Sequence, residues 1–180
     1  MRGAEAVLRK ATVLGRAAVV KERVAKNYRE AQLDRRLRRE RTRGEARLLH
    51  RAKLAGVACP VVLEVGEFTI TMGFIGGARP EMGAADAREA GGMLAKLHAA
   101  DIIHGDYTPA NLIRGETLYV IDFGLGFVSS DIEDKAVDVF TMLRAITQKE
   151  AFIQGYGAYS KADAVLARVK GVEKRVRYAF

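Results

Sequence analysis

Residues 104–111 read HGDYTPAN, and the tripeptide Asp122-Phe123-Gly124 begins eleven residues after Asn111. An apolar segment that suits a short strand precedes each motif. The spacing places one carboxylate, Asp106, where it can meet a nucleophile, and a second, Asp122, where it can hold a cation against phosphate groups. Asn111 adds a neutral oxygen donor, which suits a hard cation such as Mg²⁺ that binds few protein groups. The two motifs together predict a phosphate-handling site.

Each motif alone has an ordinary alternative, because Asp and Gly are common in turns and can cap them. Found together, in this order and after strand-like segments, they fit the catalytic loop and the metal-binding segment of protein kinases. We therefore predict Asp106 as the catalytic base, and Asn111 and Asp122 as ligands of Mg²⁺ in an ATP site.

A lysine and a glutamate upstream complete this interpretation. Lys21 ends the apolar run 17–20, where a kinase places the lysine that contacts the α- and β-phosphates of ATP. Glu45, midway along a predicted helix and facing the sheet, is its expected partner. The alternative is an ordinary surface lysine and an ordinary helical glutamate, which would gain little from pairing. Gly3 stands in place of the glycine-rich loop, although the full GxGxxG motif is absent.

The N-terminal part of the chain predicts a small sheet around one helix. Residues 31–55 predict a long basic helix that ends near Gly56, because their apolar residues, Leu33 and Leu37 among them, fall mostly at helical spacing. Two hairpins are predicted, one from 11–14 and 17–20 that ends at Lys21, the other from 61–65 and 68–72. Residues 73–77 follow as a flexible connector.

The C-terminal part is predicted to be mainly helical, with a helix from Asp86 and others at about 133–145 and 161–170. Its short strands are predicted at 102–103, 112–113 and 118–121. We predict a single α+β domain over residues 1–180 with a minimal two-lobed protein-kinase-like fold. Its small β-rich N-lobe covers about 1–72, its hinge about 73–77, and its reduced, mainly helical C-lobe about 78–180.

Composition limits the classes of function. No apolar run is long enough to cross a bilayer and the N-terminus lacks a secretory signal, so we expect a cytoplasmic protein without a membrane partner. The single cysteine, Cys59, excludes a disulfide within the chain and is expected to be a buried thiol. The formal net charge of +8 favours polyanionic partners.

Basic residues concentrate on the predicted long helix and near the C-terminus. Arginine forks match phosphate oxygens, so these clusters favour contact with a polyanion such as RNA. A solvated charged face is the alternative, and no RNA-binding motif is present. The two clusters are Arg35, Arg36, Arg38, Arg39, Arg41, Arg43, Arg47, Arg51 and Lys53, and Lys170, Lys174, Arg175 and Arg177.

Two departures from protein kinases bear on regulation. Gly105 replaces the arginine that, in many kinases, pairs with a phosphorylated activation loop, and no APE motif follows the DFG tripeptide. Only the short segment 125–131 separates Gly124 from the next predicted helix. We therefore expect neither that type of activation nor an extended platform for a peptide substrate.

With these residues in place, the chain resembles the small atypical serine/threonine kinase and ATPase of the KEOPS complex, which serves threonylcarbamoyladenosine modification of tRNA. Archaeal members look most similar to it. The resemblance covers nearly the whole chain. It includes residues 3–6, the segment 26–29 leading to Leu33-Asp34, residues 41–43 before Glu45, HGD in place of HRD, and the basic C-terminus.

The resemblance implies a minimal kinase whose ATPase activity is prompted by the threonylcarbamoyl-transferase subunit, with other KEOPS subunits and tRNA as partners. It implies ATP and Mg²⁺ as cofactors, held by Gly3, Lys21, Glu45, Met72, Phe74, Ile75, Asn111 and Asp122, with Asp106 as the catalytic aspartate. Gly73 and Gly76 replace acidic hinge residues of relatives, so contacts to adenine there are expected to be through the main chain.

Two other functions remain open from the sequence. Antibiotic and choline kinases also use HGDxxxxN, so a small-molecule phosphotransferase is one alternative, although those enzymes carry an added helical insert. A non-catalytic pseudokinase scaffold is the other, although all the catalytic positions are filled. Whether water or a protein hydroxyl accepts the phosphate also stays open.

Overall fold

The computed structural model describes residues 6–26 and 28–177. The predicted phosphate loop at Gly3 lies outside the described residues. So do residues 178–180, and the side chains of the basic tail are not described from Lys174 onward. The predictions for these residues stay predictions.

A four-stranded antiparallel sheet in the order β1-β2-β4-β3 forms the N-terminal lobe. Its strands are β1 (Ala6–Val13), β2 (Arg16–Arg23), β3 (Val62–Val65) and β4 (Thr69–Gly73). Leu14 and Gly15 both have positive φ, as the tight turn between β1 and β2 requires. Both predicted hairpins are confirmed. The predicted end at Lys21 is wrong, because β2 continues to Arg23, which pairs with Ala6 and donates its N–H to the Phe68 carbonyl.

Helix α1 (Ala31–Leu54) packs one face against this sheet, and the predicted long helix is confirmed. Glu30 caps it by accepting the N–H groups of Gln32 and Leu33. The predicted apolar face is wrong in the first turns, where Leu33 is exposed and Asp34 is buried instead. Asp34 is accommodated because Arg38 donates to its carboxylate over 2.7 Å.

The C-terminal lobe is mainly helical, as predicted, and the expected two-lobed kinase-like fold class is confirmed. It holds α2 (Ala84–Ala99), α3 (Ile132–Ala145), α4 (Lys149–Tyr156) and α5 (Ala162–Arg177). Two small antiparallel pairs accompany them: β5 (Ile102–Ile103) with β8 (Phe127–Val128), and β6 (Leu112–Arg114) with β7 (Leu118–Val120).

Two elements of this lobe are absent from the sequence prediction. Helix α4 has only eight residues, too few to show a clear period, and it contains Gly155. That glycine allows close packing on α2, since a Cβ there would overlap the Arg88 carbonyl. Strand β8 has two residues and exists only by pairing with β5.

One cluster of buried apolar side chains runs through both lobes, from Ala46 on α1 to Val172 on α5. Cys59 is buried within it as predicted, and burial raises the pKa of its thiol to about 11. Within residues 6–26 and 28–177, no helix has both the length and the apolar character needed to cross a membrane.

Candidate active site

A cleft of about 930 Å³ lies between the sheet and the C-terminal lobe. This volume is in the range of small-molecule ligand sites. Apolar side chains from both lobes, including Val19 and Leu112, line its walls. Seven of the predicted site residues also line it: Lys21, Glu45, Met72, Phe74, Ile75, Asp106 and Asp122.

Lys21 and Glu45 meet inside this cleft. Lys21 Nζ lies 2.7 Å from Glu45 Oε1, and both side chains are less than a tenth exposed. The alternative of an ordinary surface pair is therefore wrong. The pair forms because Lys21 points from β2 toward the face of α1 that carries Glu45. A buried pair of this kind is costly to break on one side, since the remaining charge then lacks a partner.

Asp122 joins the same network. Lys21 Nζ lies 2.6 Å from Asp122 Oδ1, and the Gly124 amide donates to that oxygen over 3.1 Å. Partial burial raises the pKa of Asp122, but the Lys21 ammonium and the Gly124 amide outweigh burial and hold the pKa below its ordinary value. Asp122 is therefore ionised at neutral pH, which a cation ligand needs.

Asp106 lines the cleft and is bonded to Asn111, which is not among the cleft-lining residues. Asn111 Nδ2 donates to the backbone oxygen and to Oδ2 of Asp106, both over 2.8 Å. A short 3₁₀ turn, Pro109–Asn111, brings the two residues into this contact. The amide oxygen of Asn111 is the atom left to meet a cation.

A metal site here would be sparse in protein ligands. Among the residues that the structure describes, no three His, Cys, Asp or Glu side chains come together as a metal site. Asn111 and Asp122 offer two oxygen ligands, which fits Mg²⁺ because that ion usually keeps waters and takes phosphate oxygens.

His104 supports the loop that carries Asp106. It is fully buried, its Nε2 lies 3.0 Å from the Ile121 carbonyl, and its Nδ1 accepts the Asp106 N–H over 3.3 Å. These contacts are consistent with the neutral tautomer that has its proton on Nε2. Burial lowers the pKa of His104 and keeps the ring neutral. The ring therefore ties the Asp106 loop to the strand end before Asp122.

Asp138 on α3 is a site residue that the sequence interpretation missed. Its Oδ2 accepts the backbone N–H of His104 over 2.6 Å and its Oδ1 accepts the backbone N–H of Gly105 over 2.9 Å, while the residue is 1% exposed. An acidic residue on the buried stripe of α3, beside Val139 and Met142, was the available signal.

Arg23 is the second residue that was missed. Its Nη2 lies 2.6 Å from Glu45 Oε2, and it is 5% exposed. The signal was its position two residues after Lys21, since side chains two apart on a strand share a face.

The predicted adenine-side residues Met72, Phe74 and Ile75 all border the cleft. The amide of Phe74 is bonded to the Ala17 carbonyl over 3.1 Å, and that of Gly73 to the Val61 carbonyl over 2.9 Å. Main-chain contacts to a base would therefore use carbonyl oxygens or the amide of Ile75.

Comparisons with known proteins give one consistent family. The sequence model of the RIO domain family matches residues 15–142. A probable serine/threonine-protein kinase BUD32 homolog of Archaeoglobus fulgidus is 44% identical over 89% of this chain and 88% of its own length. A probable bifunctional tRNA threonylcarbamoyladenosine biosynthesis protein of Methanosarcina acetivorans is 39% identical over 92% of this chain. The chain spans only 32% of that bifunctional relative.

Solved structures agree on the fold. The Rio2 kinase complex with ADP, Mg²⁺ and phosphoaspartate from Chaetomium thermophilum has a TM-score of 0.70, with 17% identity, over 98% of this chain and 66% of that one. WaaP in complex with acyl carrier protein has a TM-score of 0.64 with 15% identity, over 99% of this chain and 86% of that one. At such identities, the likeness concerns the fold alone.

Proposed function

The chain belongs to the RIO-domain family together with the archaeal BUD32 homologs, and we propose that it is an ATP- and Mg²⁺-dependent ATPase and atypical serine/threonine kinase. In this proposal it supports threonylcarbamoyladenosine modification of tRNA. The observation that carries this proposal is the ion network of Lys21, Glu45 and Asp122 in one cleft with Asp106, whose carboxylate is bonded to Asn111. The cytoplasmic location expected from the sequence stays a prediction.

In this proposal each residue has a distinct role. Lys21, oriented by Glu45, contacts the phosphates, and Met72, Phe74 and Ile75 border the base. Asn111 and Asp122 hold Mg²⁺, which supplies neutralisation of the phosphate charge.

Asp106 orients the attacking water or hydroxyl, and Asn111 holds its carboxylate in place over 2.8 Å. Because phosphoryl transfer asks little covalent chemistry of the protein, the proposed catalysis is mainly positioning and electrostatic stabilisation.

The fate of γ-labelled phosphate from ATP tests this function. We expect free phosphate as the main product, with more of it when the threonylcarbamoyl-transferase subunit and tRNA are added. Asp122→Ala should reduce turnover at least about 100-fold, because a metal ligand is lost. Asp163→Ala, a change of an exposed aspartate on α5, is the matched control and should leave turnover unchanged.

Three other results have separate meanings. Label on serine or threonine that the partners do not affect would indicate a protein kinase unconnected with tRNA. Hydroxylamine-labile label would indicate an aspartyl phosphate, the species present in the Rio2 complex from Chaetomium thermophilum. Full turnover in the Asp122→Ala variant would contradict the mechanism.

We also propose that tRNA contacts the C-terminal half of α1. In the N-terminal half, Arg35 and Arg39 bond to Glu67, and Arg38 bonds to Asp34. Arg43 and Arg47 are exposed instead, with no hydrogen bond or ion pair in the part of the chain that the structure describes. Like charges one helical turn apart repel, so these two arginines favour an external polyanion.

The salt dependence of tRNA binding tests this surface. In the Arg43→Gln/Arg47→Gln double variant, the slope of log K against log salt should fall by about 1.4 to 1.8, since each phosphate contact contributes about 0.7 to 0.9. Arg144→Gln/Lys149→Gln changes the net charge equally and should keep the slope. An unchanged slope in the first variant, or equal competition by polyglutamate, would contradict the assignment.

A further inference from the structure

Arg23 gives Glu45 a second cationic partner that the family motifs do not account for. Lys21 and Arg23 lie two residues apart on β2, so both side chains point from the same face of the strand. Lys21 Nζ meets Oε1 of Glu45 over 2.7 Å, and Arg23 Nη2 meets Oε2 over 2.6 Å. Each oxygen of this buried carboxylate therefore has its own cation.

The two cations differ in what else they contact. Lys21 also bonds to Asp122, over 2.6 Å. The Arg23 guanidinium lies beside the backbone that follows Asp122, since a Cβ on Gly124 would lie 3.3 Å from Nη2. The same Cβ would lie 2.9 Å from Asp122 Oδ1. Glycine at position 124 is therefore what lets the guanidinium and the segment approach each other.

The backbone of Arg23 is fixed as well. Its N–H donates to the Phe68 carbonyl over 2.9 Å, and its carbonyl accepts from Arg38 Nη1 over 3.4 Å. The Arg38 guanidinium lies 3.9 Å from the centroid of the Phe68 ring. Arg23 thus connects the sheet, α1 and the segment after Asp122.

Charge balance gives this arrangement a role in the proposed reaction. Lys21 is bonded to two carboxylates, those of Glu45 and Asp122. These bonds must weaken when nucleotide phosphates compete for its ammonium. A buried carboxylate that loses its partner is strongly unfavourable. Arg23 bonds to the other oxygen of the same carboxylate, Oε2, over 2.6 Å, so Glu45 keeps a cation when Lys21 moves.

We propose that Arg23 is a positioning residue that holds Glu45 and the Gly124 backbone in place while Lys21 exchanges Asp122 for the phosphates of the nucleotide. The proposal rests on the ATP-dependent function proposed above and adds a residue to its site.

Steady-state ATP hydrolysis by the full chain tests the proposal. Arg23→Met should lower kcat about 100-fold and Arg23→Lys about tenfold, with KM for ATP within about threefold, because the loss is one of positioning. Lys135→Met is the matched control, since it removes a buried cation paired with Asp101 outside the cleft. It should lower Tm and keep kcat within about twofold.

Three results would overturn the proposal. An unchanged kcat in Arg23→Met would indicate a structural role alone, and a tenfold or greater rise in KM at constant kcat would indicate a phosphate ligand. The third is a Lys135→Met control that is as inactive as Arg23→Met. If Arg23→Met does not fold, Arg23→Lys is judged by the same criteria.

A double-mutant cycle on Tm works whether or not the chain hydrolyses ATP. Because Lys21 and Arg23 compensate the same carboxylate, Lys21→Met/Arg23→Met should lose more stability than the sum of the single variants. Additive losses would count against the inference. An inactive wild type with a non-additive cycle would count against the proposed function alone.

Discussion

Gly105 shows at the scale of one residue why this chain has HGD. Its φ is +80°, and a Cβ there would overlap the Leu125 carbonyl. An arginine at this position would displace the segment that follows Asp122. Asp122 itself has a φ of 59°, which costs a non-glycine residue about 1 kcal/mol or more. The loop that carries Asp106 and the segment that follows Asp122 therefore pack backbone against backbone.

The Gly105→Ala variant tests this packing. It should lower the free energy of unfolding by about 3 kcal/mol, through both the left-handed φ and the overlap with Leu125. Gly15→Ala is the control, because Gly15 has a similar φ of +73° but open space around its Cβ position. We expect it to cost only about 1 kcal/mol. Urea unfolding measures both, and equal losses would show that the overlap is relieved at no cost.

At the scale of an element, α1 is fastened to the sheet by its own arginines. Arg35 and Arg39 both bond to Glu67 in the turn between β3 and β4. These two arginines lower the pKa of Glu67 to about 2, from an ordinary 4.5. Arg38 contacts Asp34 and Phe68 as well. Three arginines of α1 therefore form bonds within the folded protein.

The pH dependence of stability follows from this shift. A depressed pKa in the folded state means that Glu67 contributes stability above about pH 4.5, which is lost as the pH falls through about 2. The Tm difference between the wild type and Glu67→Gln should therefore be largest near pH 7 and shrink below pH 4.5. Glu116→Gln, at the exposed turn after β6, is the control. A Tm difference that stays constant down to pH 2 would contradict this assignment.

At the scale of the whole molecule, the lobes share one apolar core. Leu48 of α1 is 5% exposed, and its Cδ1 would lie 2.8 Å from a Cβ on Gly126 of the C-terminal lobe. A contact of this kind couples α1 to the segment after Asp122. This contact between the lobes supports the prediction of a single domain. The lobe boundaries stay predictions.

Calorimetry tests whether the lobes unfold together. We expect one transition, with calorimetric and van't Hoff enthalpies equal. Leu48→Ala should lower its midpoint by removing a buried side chain worth about 2 to 5 kcal/mol, and should not split it. Leu54→Ala, at a side chain that is 75% exposed, should leave the midpoint nearly unchanged. Two separate transitions would contradict a single cooperative unit.

The sequence by itself determined the elements with strong local signals. Periodicity predicted α1 and α2, and the motif spacing identified Asp106, Asn111 and Asp122 as candidate site residues, because the chemistry requires those side chains at those intervals. The same local reasoning overlooked α4 and β8, which are too short to show a period.

Only the tertiary structure decided which residues surround the candidate site. Asp138 accepts the backbone N–H groups of His104 and Gly105, which lie 34 and 33 residues earlier in the sequence. Arg23 bonds to Glu45, which lies 22 residues later. Local patterns could single out Asp138 and Arg23 but could not identify their partners, because the partners depend on where packing places α3 and α1. Burial of a charge is likewise a property of the assembled lobes, and it decided that Lys21 and Glu45 form an interior pair.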